Sequence, residues 1–130
     1  MLKYIKTLHS HTVAETTRCR ARSDTYYKKG SLCQFDLSGQ LDNSNESERA
    51  RYLVLEDKVP DDGKFYVDCI RLLPGMMLTA TANFDTSSVQ VGALCGFDTD
   101  TDEKVSFAVE YGNEAEIVGI DGKTLTIIIN

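Results

Sequence analysis

Three sets of side chains in this sequence have types and spacing suited to chemistry. The first is Asp98-x-Asp100-x-Asp102-Glu103. Alternate carboxylates on a loop converge on a hard cation such as calcium, which makes Asp98, Asp100 and Asp102 the candidate metal ligands. The calcium-loop pattern needs glycine at its sixth position and glutamate at its twelfth, and Glu103 and Val109 stand there instead. The run therefore reads as a solvated acidic turn between two strands. The second set is His9-x-His11. In extended backbone both rings fall on one side and suit a transition metal. No third ligand is adjacent in sequence, and two donors do not complete a site. The third is Cys19, flanked by Arg18 and Arg20. Cationic neighbours lower a thiol pKa, and His9 or His11 would supply the base. A thiolate nucleophile must be held rigidly on a packed scaffold. A polar segment near the terminus offers none, so Cys19 reads as an inert exposed or interface cysteine.

Other signatures of catalysis are missing. There is no phosphate-cradling glycine loop, no dinucleotide fingerprint and no Gly-x-Ser-x-Gly elbow. The expectation is a protein that is not an enzyme, with no catalytic residue and no cofactor. A small metal- or ligand-binding barrel using Asp98, Asp100 and Asp102 is an alternative.

What stands out instead is the distribution of charge. Residues 1–30 carry seven Lys or Arg and two acids, a net +5, while residues 31–130 carry seven bases and eighteen acids, a net −11. A basic segment joined to an acidic body suits docking more than a reactive cleft. Lys3, Tyr4, Lys6, Arg18, Arg20, Arg22, Lys28 and Lys29 are the candidate partner-binding residues. The acidic body argues against nucleic acid, whose phosphates need clustered bases. The aromatics do not form the basic–aromatic stripe of a single-strand binder.

The 130 residues, 42% of them hydrophobic, suit one domain with an arm. No run of eighteen apolar residues occurs, so no membrane partner is expected. The start, Met1-Leu2-Lys3-Tyr4-Ile5-Lys6, has no uninterrupted apolar stretch of the secretory kind. Cys19, Cys33, Cys69 and Cys95 lie far apart, without the spacing of a zinc site or a redox Cys-x-x-Cys. All four read as reduced thiols in a cytoplasmic setting. Cys33, Cys69 and Cys95 fall in apolar strand patterns, as small core residues.

The elements that must position these groups read as strands. Period-2 alternation runs through Met76–Phe84, Val89–Phe97 and Val105–Val109, and apolar runs at Ser31–Leu37, Arg51–Glu56 and Phe65–Leu72 read the same way. Ser38–Ser47 is the clearest loop, and Pro60-Asp61-Asp62-Gly63 a strong turn. Asp121-Gly122 predicts a type I′ hairpin between Ile117–Ile120 and Thr124–Ile129. Ile128 makes the last strand apolar on both sides and therefore central or interfacial. Gly92, Gly96 and Gly119 suit bulges and bends. The fold class is all-β, a small β-barrel or sandwich, with residues 1–25 as an extended basic N-terminal arm and 26–130 as the domain.

Within that domain the order of pieces resembles the capsid decoration, or cement, and related small head proteins of tailed bacteriophages. Lys28-Lys29-Gly30-Ser31-Leu32 leads into a strand, followed by a polar loop and Arg51-Tyr52-Leu53-Val54-Leu55. Val67-Asp68-Cys69-Ile70-Arg71-Leu72-Leu73-Pro74-Gly75-Met76 then leads into an Ala/Thr strand. Val91-Gly92 opens the next, and Ala115-Glu116-Ile117-Val118 to Leu125-Thr126-Ile127 closes the chain. The resemblance covers residues 26–130 by pattern. It implies a virion structural protein that binds the major capsid protein on the outer shell surface and stabilises it, self-associating there as a trimer. It also implies residence in the host cytoplasm during assembly and brings no catalytic residues. A tail or connector component is the alternative from the same group of proteins.

Overall fold

Twelve strands and one 3-10 turn make up the described part of the molecule. The computed structural model describes residues 2–7, 16–43, 50–98 and 112–130 in full, and the backbone of 104–107. The strands are β1 (Lys3–Thr7), β2 (Thr17–Ala21), β3 (Leu32–Phe35), β4 (Leu41–Asp42), β5 (Tyr52–Val54), β6 (Val59–Asp61), β7 (Lys64–Arg71), β8 (Met76–Ala82), β9 (Leu94–Phe97), β10 (Lys104–Phe107), β11 (Ala115–Asp121) and β12 (Thr124–Ile129). The all-β expectation holds, in barrel form. The chain divides into two compact units, however: Met1–Val13 with Leu73–Asn130, and Ala14–Leu72. The division expected after residue 25 is not where the contacts divide. Of the expected arm, β1 pairs with β8 in the first unit and β2 pairs with β7 in the second.

In the first unit, β8, β10, β9, β11 and β12 pair in that order, and β12 returns to β8, closing a five-stranded ring. Closure removes exposed sheet edges, the standing hazard of small β proteins. The long strand β8 alternates strictly, with Met76, Leu78, Ala80 and Ala82 buried and the residues between them half-buried. β12 takes one edge of β8 at Met77–Thr81. The other edge is shared: β1 lies along Met76–Thr79 and β10 along Thr81–Ala82. Leu78, Phe97, Ile117, Leu125 and Ile127, all almost wholly buried, fill the interior.

In the second unit, β2, β4, β3, β5 and β7 pair in that order, and β7 pairs with β2. This ring closes through a single bridge, Ala21 to Leu41. Again one long strand has a full-length partner on one edge, β2, and two short ones on the other, β5 and β6. Tyr27, Leu32, Leu41, Leu53, Val54, Val67 and Cys69 are at most 1% exposed. The two rings share one topology. Taking β2, β3, β4, β5, β7 and β8, β9, β10, β11, β12 as strands one to five, each joins one to three in parallel. Each then joins three to two, two to four, four to five and five to one antiparallel.

Two turns depart from expectation. Asp121 pairs with Thr124, so the two-residue loop is Gly122-Lys123, with positive φ at Gly122. Glycine first with its φ positive is the type II′ arrangement, not the type I′ read from Asp121-Gly122. The type I′ turn occurs at Asp62-Gly63, where both φ are positive (51° and 73°) and Asp61 pairs with Lys64. Pro60, expected inside a turn, lies instead in β6, an outer strand where its missing N–H costs no ladder bond. Val89–Ala93 is not strand. A 3-10 turn, Thr86–Ser88, capped by Asp85, precedes it, and β9 begins only at Leu94.

The register of β11 against β12 slips between Ile117 and Gly119, leaving Val118 as the extra residue of a bulge. A Cβ at Gly119 would stand 3.3 Å from the Thr126 Cβ. Gly119→Val is expected to cost about 1–3 kcal/mol by overpacking against this neighbour. Leu78→Ala, which empties the middle of the first ring, is expected to cost about 2–5 kcal/mol. Urea unfolding of each variant measures both.

Candidate functional site

Alternation along β2 decides which groups of the second unit face solvent. Cys19 and Ala21 are buried, while Arg18 is exposed and Arg20 half-buried. Cys19, read from sequence as exposed or interfacial, is therefore a core residue, 4% exposed. Its polar neighbours mislead, because in a strand they belong to the opposite face. Arg18 lies opposite Asp68 on β7 and its Nε donates to the carboxylate at 3.1 Å. The pair raises the Arg18 pKa, through that hydrogen bond first. It is half in water and contributes little to stability.

Beyond β2 the chain runs into a polar cleft of about 370 Å³, lined by Arg20, Ala21, Arg22, Ser23, Asp24, Gln40, Gly63, Lys64 and Phe65. Three pieces of backbone form it: the end of β2 with its following loop, the β3–β4 turn, and the β6–β7 turn. Each is fixed by its own hydrogen bonds. In the loop, the Lys58 ammonium donates to the carbonyls of Ser23 (2.7 Å), Thr25 (2.6 Å) and Arg22 (3.3 Å). It also sits 5.3 Å from the centre of the Phe65 ring, a cation–π contact. The buried Tyr27 hydroxyl accepts from the Arg22 N–H at 2.8 Å and donates to the Leu41 carbonyl at 2.5 Å. Burial, the larger effect, pushes the Tyr27 phenol above its ordinary pKa.

In the β3–β4 turn, one Asp36 oxygen accepts from the Ser38 hydroxyl (2.6 Å), the Ser38 N–H (2.8 Å) and the Gln40 N–H (3.1 Å). Gly39, at φ 80°, completes the reversal. This stiff turn holds Leu37 wholly in solvent. Arg22 ties turn and loop together, reaching Asp36 and Asp42 at 3.5 Å each and Asp24 at 3.7 Å. Arg22 is thus neutralised by carboxylates, whereas the Arg20 Nε is buried with no hydrogen-bond partner among the described residues.

The eight partner-binding candidates do not form one surface within either unit. Lys3, Tyr4 and Lys6 are on β1, where Tyr4 bonds the Thr7 hydroxyl at 2.8 Å. Arg18, Arg20, Arg22, Lys28 and Lys29 belong to the second unit. There Lys29 lies 3.8 Å from Glu56. Only Arg20 and Arg22 of the eight line the cleft. Lys64, Gln40, Asp36 and Lys58 were not legible as site residues. Asp36-x-Ser38-Gly39 carries a turn signature, but nothing in sequence marks Lys58 as a carbonyl ligand.

Of the metal candidates, Asp98 follows β9, 6% exposed, and its carboxylate accepts from the Asn83 amide. Asp100, Asp102, His9 and His11 lie outside the described residues. Among the described residues no group of three His, Cys, Asp or Glu is placed to hold a metal, and no helix is long and apolar enough to cross a membrane.

The donors around Asp36, the Ser38 hydroxyl first, hold its carboxyl below the ordinary 3.8. Its folded-state pKa is below its unfolded one, so its stabilisation is present above about pH 4 and fades as pH falls through the lower value. Asp36→Asn is expected to lower stability at pH 7 and to flatten the loss of stability on acidification below about pH 4. Thermal unfolding of both proteins between about pH 2 and 7 reads this.

No protein-family model, no curated protein and no solved structure matches this chain.

Proposed function

We propose that the chain is a non-catalytic structural protein that docks on an acidic protein surface. From the resemblance of residues 26–130 we further propose that this surface is the outside of a tailed-phage capsid, where the protein acts as a decoration or cement component. The supporting observation is the cleft of the second unit. Arg20 and Lys64 line it together with Arg22, which Asp24, Asp36 and Asp42 already pair, and Arg20 brings a buried Nε without a partner among the described residues. A donor desolvated without an acceptor is a cost in the free molecule. A carboxylate entering the cleft would remove that cost once the Arg20 side chain turns its Nε outward, through a charge-assisted bond stronger than a neutral one. The loop and turn around it are already fixed by Lys58, Tyr27 and Asp36, so little ordering entropy would be lost on docking. Leu37, held out on the Asp36 turn, would add apolar burial worth about 1.5–3 kcal/mol if covered.

The predicted pattern separates docking from folding. Arg20→Ala is expected to leave unfolding within about 0.5 kcal/mol of the parent, since its Nε makes no bond that would be lost. The same substitution is expected to weaken capsid binding about tenfold or more, measured by co-sedimentation with undecorated heads. Lys64→Glu should weaken binding further. Full binding by both variants removes the cleft from the mechanism. Mass spectrometry of separated heads and tails tests the placement. Copies near that of the major capsid protein in heads agree with it, a few copies in tails point to a tail or connector component, and absence from virions refutes both.

A further inference from the structure

The core of the second unit contains more sulfur than packing requires. Cys19 on β2 and Cys69 on β7 stand with Sγ atoms 3.1 Å apart, both buried, fifty residues apart in sequence. They belong to the same hydrophobic cluster as Cys33. Their strands are antiparallel neighbours, with Thr17 opposite Cys69 and Cys19 opposite Val67. The two cysteines are therefore a diagonal pair on the inner face, a placement that brings long side chains into reach across a sheet. Two unbonded sulfurs at this distance lie inside ordinary van der Waals contact, and closing to a bond of about 2.05 Å requires only about 1 Å of movement.

We propose that Cys19 and Cys69 are a covalent modification site: a two-electron oxidant of the peroxide class joins them in a disulfide that clamps β2 to β7. The reaction balances with hydrogen peroxide alone. The Cys19 thiolate attacks one peroxide oxygen, giving a sulfenic acid, and the leaving hydroxide takes up the proton Cys19 released. Cys69 then attacks the sulfenic sulfur, the S–S bond forms, and the S–OH oxygen leaves as water with the Cys69 proton. Two thiols and one peroxide become one disulfide and two waters.

Three features of the site assign the roles. Cys69 is wholly buried, and the contact with Cys19 and burial raise its pKa, whereas Cys19 keeps 4% of its surface exposed and meets the oxidant first. Cys19 is therefore the attacking thiolate and Cys69 the resolving thiol. Cys33 is turned to another partner, its Sγ donating to the Asn43 side chain at 3.3 Å. Access comes from the seam of the ring: apart from Ala21, β2 has no ladder partner on its second edge among the described residues. β2 stays paired to β7 along its length, and opening of the single-bridge seam on its other edge is a low-energy local event.

The test uses the full chain. The reduced protein is treated with hydrogen peroxide, unfolded, alkylated with iodoacetamide and digested with trypsin. The expected result is a loss of about 2 Da before alkylation, two hydrogens. A cross-linked pair should join Cys19-Arg20 to Phe65–Arg71, with Cys33 and Cys95 alkylated. Cys19→Ser and Cys69→Ser should each abolish the mass loss, and the double variant Cys33→Ser, Cys95→Ser should keep it. Four alkylated cysteines, a bond involving Cys33 or Cys95, or Cys19 carried to sulfinic acid without a cross-link would each overturn the proposal. The peptide map of the parent protein decides the matter even if a serine variant fails to fold.

Discussion

Ring closure is the constraint on which the rest of this structure depends. Five short strands cannot shield a core as an open sheet, because two edges would remain unpaired. In both units the solution is a long strand whose two edges are both occupied. β8 has β12 on one side and β1 with β10 on the other, and β7 has β2 on one side and β5 with β6 on the other. Sharing an edge between two short strands lets a parallel or antiparallel partner begin where another ends. The arrangement explains why β8 shows the strictest alternation in the chain, since every second residue must face a closed interior.

Legibility in sequence follows the length and burial of each strand. Met76–Ala82 and the strands of the β11–β12 hairpin are long, half-buried and period-2, and both were readable as strands, though not to their exact ends. Gly119 was readable as a bulge, because a glycine amid Ile and Val has no packing reason to be there. β4 was not readable: Leu41–Asp42 is two residues within a Ser-, Gly- and Asn-rich stretch, and it is strand only because β3 and β2 lie beside it. β2 was obscured by its arginines, whose outward positions alternate with the buried Cys19 and Ala21. The hairpin turn type was misread because Asp-Gly fixes a turn only when its register is known, and Asp121 is the last paired residue.

Charge shows the limits of one-dimensional reading more sharply. A net +5 over the first thirty residues suggested a single basic arm. Folding assigns those bases to two units and pairs several with acids distant in sequence: Arg18 with Asp68, Arg22 with Asp36 and Asp42, Lys29 with Glu56. What remains distinctive is local. Lys58 holds three carbonyls of one loop, Asp36 holds one turn, and between them lies a cleft lined by Arg20, whose buried Nε has no partner among the described residues. The Lys58 contacts do not follow from composition, because they depend on backbone carbonyls 33 to 36 positions away in sequence.

The path of the chain through the two rings also sets a timetable for synthesis. Every strand of the second ring lies between Thr17 and Arg71, so that ring has all its pieces once this stretch has left the ribosome. The other unit includes Lys3–Thr7, yet β8, to which that strand pairs, comes some seventy residues later, and ring closure waits for β12. At ordinary elongation rates of about 5–20 residues per second, the N-terminal strand waits about 4–15 s for its place. The second ring has all its strands only at the close of that interval, at Arg71, and the first unit then still waits for β8 to β12. Leu2, 2% exposed in the finished molecule, is uncovered for as long as its ring is incomplete.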